Sequence, residues 1–247
     1  MPQPPLSAGQ IEFFKTHGYL IIESMIEPVY IDAWRRDLWA HVGGEVQRPE
    51  TWGEQTFTLN DFSFSPTTTL LSQHPKVAAV IDQLGGGAFT GGGGSPLIKW
   101  PDGRTVWRPP ADGHVDAYGP GGWSPFMIAA TTYCYDVEYG GGAFTYWPDS
   151  HRSTHEYFLE HPEQVDGSFY QLPDFSWAIF SDRSPQGPTP FVARAGSVIF
   201  WHAYLCHTVS MNVRNVPRFG IFARWAHRDQ QRFKYEIPQN LWKYWAV

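Results

Sequence analysis

Charge and cysteine are both scarce in this sequence. Of its 247 residues only 17% are charged, against about 25% in an average domain. The formal net charge of −6 comes without any basic run. The electrostatic footprint that nucleic-acid binding needs is therefore missing, as is a patch that would hold the chain to an anionic membrane. Cys134 and Cys206, the only cysteines, are too few for a disulfide framework or a four-thiolate zinc site and are expected to be buried thiols. No apolar run approaches the ~20 residues that span a bilayer. The opening MPQPPLSAGQ lacks the basic and apolar regions of a secretory signal, so a soluble, cytoplasmic protein is expected.

Aromatic rings, by contrast, are abundant at 17% of the chain, which makes a ring-lined pocket plausible. The length suits one domain, residues 1–247, with a helical front over roughly 1–85 and a β core over roughly 95–230. Ser7 with Gln10 forms a capping box ahead of Ile11, Phe13 and Phe14, and Gly18 can close that helix. YLIIES reads as a strand. Pro28 opens a helix in which Ile31, Trp34, Leu38 and Val42 recur at helical spacing, and another begins near Pro75 and ends at the glycines after Leu84. Residues 85–95, GGGAFTGGGGS, hold too few side chains to pack and predict a mobile loop, a candidate lid over a pocket. LIKWPDGRTVWRPP suits strands linked by turns, and FMIAATTYCYDV, GGAFTYW, PFVARAGSVIFWH and RFGIFARWAH are strand-like segments bounded by Gly, Pro or Asp. The fold class is thus mainly β with flanking helices.

In DGHVDAYG, His114 and Asp116 are two apart, so on a strand both side chains leave one face. His207 lies just past a predicted strand over 197–202, where a short turn can bring it across to that pair. Two imidazoles and one carboxylate on one face of an octahedron leave three positions open, the arrangement of non-haem iron(II) oxygenases. Arg218, at the head of the next predicted strand, offers a planar fork for a carboxylate in the same cavity. His151 and His155 in HRSTH have helix-face spacing but lack the glutamate of the zinc-protease signature, so they are assigned to pocket wall and loop anchor. His202 is assigned a supporting role.

Several segments together resemble the phytanoyl-CoA dioxygenase-like family of iron(II)- and 2-oxoglutarate-dependent oxygenases: IEFFKTHGYLIIESMI, HVD, GGGAFTYWPDSHR and HTVSMNVRNVPR, the last with Asn212 and Arg218 beyond its histidine. The resemblance implies a double-stranded β-helix, a jelly-roll and cupin-like core. It implies iron(II) held by His114, Asp116 and His207, and 2-oxoglutarate and O2 as cosubstrates, with Arg218 on the far carboxylate of the keto acid. Where relatives often carry a small hydroxyl residue two positions after the distal histidine, this chain has Val209, leaving Ser210, Thr131 or Thr132 to supply that hydroxyl. Asp116 favours hydroxylation or a related oxidation, since halogenating relatives tend to replace that carboxylate.

The substrate is expected to be a small molecule, aromatic or polycyclic in preference to an acyl-CoA. Trp100, Trp107, Tyr118, Trp123, Tyr133 and Trp147 are candidate lining, and Lys99, Arg104 and Arg108 candidate partners of an anionic group. Two other classes stay open on the residues alone: a cupin-like metalloenzyme without keto acid, and a non-catalytic carbohydrate-binding β-sandwich.

Overall fold

The computed structural model describes residues 5–53, 55–118 and 124–247. Helix α1 (Ala8–His17) starts with the capping box the sequence shows, Ser7 and Gln10 each satisfying the other's amide. Gly18 ends the helix at φ +76°, a left-handed conformation that costs glycine little. Strand β1 (Tyr19–Ile22) leads to α2 (Pro28–Val42), which buries Ile31, Trp34 and Leu38. Helix α3 (Pro75–Gly85) buries Val77, Val80, Ile81 and Leu84.

Strands follow: β2 (Phe89–Lys99), β3 (Met127–Tyr133) and β4 (Phe144–Tyr146), then helices α4 (Ser150–Glu160) and α5 (Ala178–Ser181). The chain returns to β5 (Thr189–Pro190), β6 (Val198–His202), β7 (His207–Val209) and β8 (Arg218–His227), and ends with the short α6 (Gln230–Phe233). All pairings are antiparallel, giving a five-stranded sheet in the order β1-β6-β3-β8-β2 and a three-stranded sheet in the order β5-β4-β7.

Alternation along the strands assigns two faces. Ile128, Ala130, Phe200, Phe219 and Ile221 point outward into one core shared with α1, α2 and α3. Met127, Ala129, Tyr133, Trp201 and Phe222 point inward and, with Phe144 and Tyr146, fill the space between the sheets. The result is a jelly roll whose larger sheet carries the helical layer. Among the described residues no helix is long and apolar enough to cross a membrane.

Three expectations change. The glycine-rich segment 85–95 is not a lid: Gly85 closes α3, and Phe89 and Thr90 already pair with His227 and Ala226 on β8. Its glycines serve a bulge between Gly92 and Ser95. At Gly92, φ is +106°, and a Cβ would stand 2.3 Å from that of Ser72, so close approach rather than mobility explains the composition. LIKWPDGRTVWRPP, expected to hold strands linked by turns, holds only the end of one: β2 stops at Lys99 and no second strand follows over 101–110. Beyond it the loop is pinned by Asp102, which accepts from the Asn212 amide at 2.8 Å and pairs with Lys99. HRSTH lies in helix α4, where His151 Nε2 bonds the Lys15 carbonyl (3.0 Å) and His155 Nε2 that of Pro238 (2.8 Å). These histidines are anchors rather than pocket wall.

The anchors carry a pH consequence. Burial pushes the His151 pKa down to about 4, whereas an unfolded histidine titrates near 6.5. Below about pH 6.5 the unfolded chain therefore binds the extra proton, and stability falls with pH until it levels off below about pH 4. The loss from this one group is expected to reach about 3 kcal/mol. Thermal midpoints between pH 7 and pH 4 measure it; a His151→Gln variant should show a flatter dependence, and an equal slope in both proteins would refute the assignment.

Candidate metal centre

His114 and His207 face each other across an isolated antiparallel bridge, His114 N–H to His207 O at 2.9 Å and His207 N–H to His114 O at 2.8 Å. This pairing sets the imidazole centroids 4.3 Å apart. Asp116, two residues on and tied to the Ala203 carbonyl, points its carboxylate to the same side. Asp116 Oδ1 lies 3.7 Å from His114 Nε2 and 3.8 Å from His207 Nε2. All three donor atoms fall within 4.8 Å of one another, the only such cluster among the described residues.

The protonation states suit a cation. The Leu205 carbonyl, 2.9 Å from His207 Nδ1, can only accept, so Nδ1 carries the hydrogen and the Nε2 lone pair is free. Burial, then the neighbouring His114, push the His207 pKa down to about 3. Burial also lowers that of His114, against the pull of Asp116. Burial alone would raise the Asp116 carboxyl, but His207, Arg224 and His114 outweigh it and hold it below the ordinary range. Two neutral imidazoles and one carboxylate therefore face a common point at neutral pH. That donor set fits Fe(II) and holds no thiolate.

Arg218, the first residue of β8, is buried to 1% exposure. Its Nε donates to the Gly142 carbonyl at 2.9 Å and one terminal nitrogen to that of Leu97 at 3.3 Å. The other terminal nitrogen is buried without a partner among the described residues. Burial lowers its pKa to about 10, against the opposing effect of Tyr133, so it remains a cation at neutral pH. Gly220 makes room for it, since a Cβ there would stand 2.3 Å from the guanidinium. An unpaired cation of this kind fits the far carboxylate of a dicarboxylate. Phe144 connects the two ends, its ring 5.2 Å from His207 and 6.1 Å from Phe222, which in turn lies 5.9 Å from Arg218.

The candidate hydroxyls separate. Ser210 Oγ is buried without a partner among the described residues. Thr131 faces the interior and accepts from Trp201 Nε1 at 3.1 Å, keeping its proton for a second acceptor. Thr132 donates to the Ser197 carbonyl at 2.8 Å on the opposite face of β3, away from the centre. Asn212 braces its loop through the Lys99 and Val216 carbonyls. His202, on the outer face, stacks on Trp245 at 5.1 Å and does not join the metal cluster.

Of the expected aromatic lining, Tyr133 lies against Arg218, with 5.9 Å between its ring and the guanidinium, and Trp147 closes on Gly113 beside His207. Trp100 belongs to the outer core, Trp107 packs on Tyr139, Tyr118 packs on Phe158, and Trp123 lies outside the described residues. Beside Phe144, two tryptophan rings flank the centre: Trp201, 4.3 Å from His207, and Trp177, 5.6 Å from His114. Neither was evident in the sequence, and neither was Arg224, whose Nε donates to Asp116 Oδ2 at 2.7 Å. Arg224 is six residues from Arg218 on one strand, and period-two alternation puts both on the interior face.

Known proteins carry the same fold. The chain covers 92% of its length on the non-heme alpha-ketoglutarate-dependent carbocyclase SnoK of nogalamycin biosynthesis, at 18% identity and TM-score 0.61, and spans 87% of that chain. EctD from S. alaskensis matches at 18% identity and TM-score 0.63, covering 92% of this chain and 79% of the other. HygX from Streptomyces hygroscopicus, solved with nickel and 2-oxoglutarate bound, matches at 14% and 0.59, covering 90% and 88%. No curated protein sequence matches the chain. The sequence model of the phytanoyl-CoA dioxygenase family matches residues 14–220, which include both histidines, the aspartate and the buried arginine. The chain belongs to the phytanoyl-CoA dioxygenase family and is an oxidoreductase of the dioxygenase class.

Proposed function

We propose that the protein is an iron(II)- and 2-oxoglutarate-dependent oxygenase that hydroxylates or otherwise oxidises a small organic molecule carrying an aromatic or polycyclic body. The observation that carries this is the pairing of a His–Asp–His donor set with a buried, half-satisfied arginine on the same interior face. A cupin-like metalloenzyme without a keto acid has no use for such a cation, whose burial costs several kcal/mol unless an anion completes it. A carbohydrate-binding sandwich needs neither feature.

His114, Asp116 and His207 hold the iron. When bound, iron(II) with 2-oxoglutarate and O2 supplies the oxidising chemistry, in which the keto acid gives succinate and CO2 and the substrate is oxidised. Arg218 orients the keto acid through its far carboxylate, with the Ser210 hydroxyl as a second donor. Trp201, Phe144 and Trp177 exclude water and present apolar walls. Arg224 fixes Asp116 through Oδ2, leaving Oδ1 turned to the histidines.

Anaerobic addition of Fe(II) followed by 2-oxoglutarate tests the reading: a visible metal-to-ligand charge-transfer band is expected, and its absence with iron bound would leave the cupin-like alternative. Within that assay Ser210→Ala is expected to weaken 2-oxoglutarate by about 1 kcal/mol, the worth of one hydrogen bond, and Thr131→Val by less. The reverse order would move the hydroxyl role to Thr131.

A further inference from the structure

Arg224 does more than its contact with Asp116 requires. Only its Nε is hydrogen-bonded among the described residues, and its side chain is 27% exposed. The guanidinium carbon sits 5.6 Å from the centroid of the Trp201 ring, and that ring is 4.3 Å from His207. The terminal nitrogens, a fork suited to a carboxylate, therefore lie beside the metal centre with capacity to spare.

A second polar group is unused on the His114 side of the centre. Between α4 and α5, a single helical turn over Ser168–Gln171 carries Tyr170. The hydroxyl of Tyr170 is buried and has no partner among the described residues. Burial and, second, the Asp116 carboxylate raise its pKa, so it is a neutral donor. Its ring meets Trp177 edge-on at 4.9 Å, and Trp177 meets His114 at 5.6 Å. Phe169 and Phe180, both fully buried, anchor the segment from behind, so Tyr170 and Trp177 are held rather than loosely draped.

Charge completes the case, on the reading of the site given above. Iron(II), Arg218 and Arg224 against Asp116 and a doubly charged keto acid leave one positive charge over. An excess charge in this partly buried site is unfavourable, and a monoanionic ligand removes it. The basic residues expected from the sequence are not poised to do this: Lys99 is taken by Asp102, and Arg104 and Arg108 line a separate surface hollow with Met211.

We propose that Arg224 and Tyr170 form a carboxylate-recognition site beside the metal centre, so that the substrate is a carboxylic acid whose flat apolar body lies against Trp177. Arg224 thus joins two functions, turning Asp116 toward the metal and fixing the acid group of the substrate. The phenol donates to the same carboxylate.

The test uses the protein loaded anaerobically with Fe(II) and 2-oxoglutarate. Benzoate, 2-naphthoate and indole-3-acetate are each titrated against their primary amides, reading the charge-transfer band and tryptophan fluorescence. At least one acid is expected to bind about ten-fold or more tightly than its amide, a difference of about 1.4 kcal/mol. The preference should fall to about two-fold or less in Arg224→Gln, read at saturating Fe(II) because Asp116 loses its partner there, and weaken by about three- to ten-fold in Tyr170→Phe, where 2-oxoglutarate affinity stays within about two-fold. If Arg224→Gln also releases iron, Arg224→Lys and Tyr170→Phe still read the preference. The proposal is overturned if no acid outranks its amide or if the preference survives Arg224→Gln. It is equally overturned if that variant, at saturating Fe(II), weakens 2-oxoglutarate more than it lowers the acid preference, which would assign the fork to the near carboxylate of the keto acid. Failure of the oxygenase reading looks different: the wild type would give no charge-transfer band, and the acid-to-amide comparison would still be readable by fluorescence with Fe(II) alone.

Discussion

Alanine at His114, Asp116 or His207 is expected to abolish stoichiometric iron binding and turnover, whereas His151→Ala and His155→Ala keep both. The first three supply every donor atom of the cluster, with Asp116 Oδ1 3.7 Å and 3.8 Å from the two Nε2 atoms. Removing even a supporting partner of a metal ligand costs about 10- to 100-fold in affinity, and removing a ligand costs more. His151 and His155 instead bond backbone carbonyls of Lys15 and Pro238. Their loss should appear in the thermal midpoint and leave iron per chain near that of the wild type. Iron content after anaerobic loading and desalting, with circular dichroism to confirm folding, separates the two groups. Iron retained in a folded His207→Ala protein and lost from a folded His155→Ala protein would relocate the centre.

Much of the frame was legible because local rules and tertiary packing agree. The Ser7/Gln10 box, Gly18 in its left-handed turn and the apolar stripe of α2 are local signals, and the core accepts each of them. RFGIFARWAH became β8 with every residue in place. The glycines of 85–95 misled because composition reports chain freedom and says nothing of neighbours. Ser72 and Trp225 come so close to Gly92 that only a residue without a side chain fits. At the centre, the His-x-Asp spacing was readable from strand geometry. What brings His207 opposite His114 is a bridge across 93 positions, formed by two short extended segments with no pattern of their own. Trp177 and Tyr170 come from an insertion of single helical turns between β4 and β5, whose placement depends on buried Phe169 and Phe180 rather than on periodicity. Arg224 was within reach, because the alternation that turns Arg218 inward does the same six residues later.

Truncating Arg218 to alanine is expected to spare iron and weaken 2-oxoglutarate by about 2 to 5 kcal/mol, the cost of removing one partner of a buried charge pair. Two of its nitrogens are committed to the Gly142 and Leu97 carbonyls, which fixes the plane of the fork and leaves the third nitrogen for the ligand. Arg218→Lys should recover only part of the affinity, since an ammonium keeps the charge but cannot hold both carbonyls and a carboxylate in one plane. Gly220→Ala reaches the same interaction without touching the charge. Its methyl group would stand 2.3 Å from the guanidinium, so Arg218 must swing out of the position that meets the keto acid. A loss of keto-acid affinity in all three, with iron per chain unchanged, is what titration of the charge-transfer band should show. Undiminished affinity in Arg218→Ala would instead make the arginine a structural brace for Gly142 and Leu97, and would assign the far carboxylate of the keto acid to another donor.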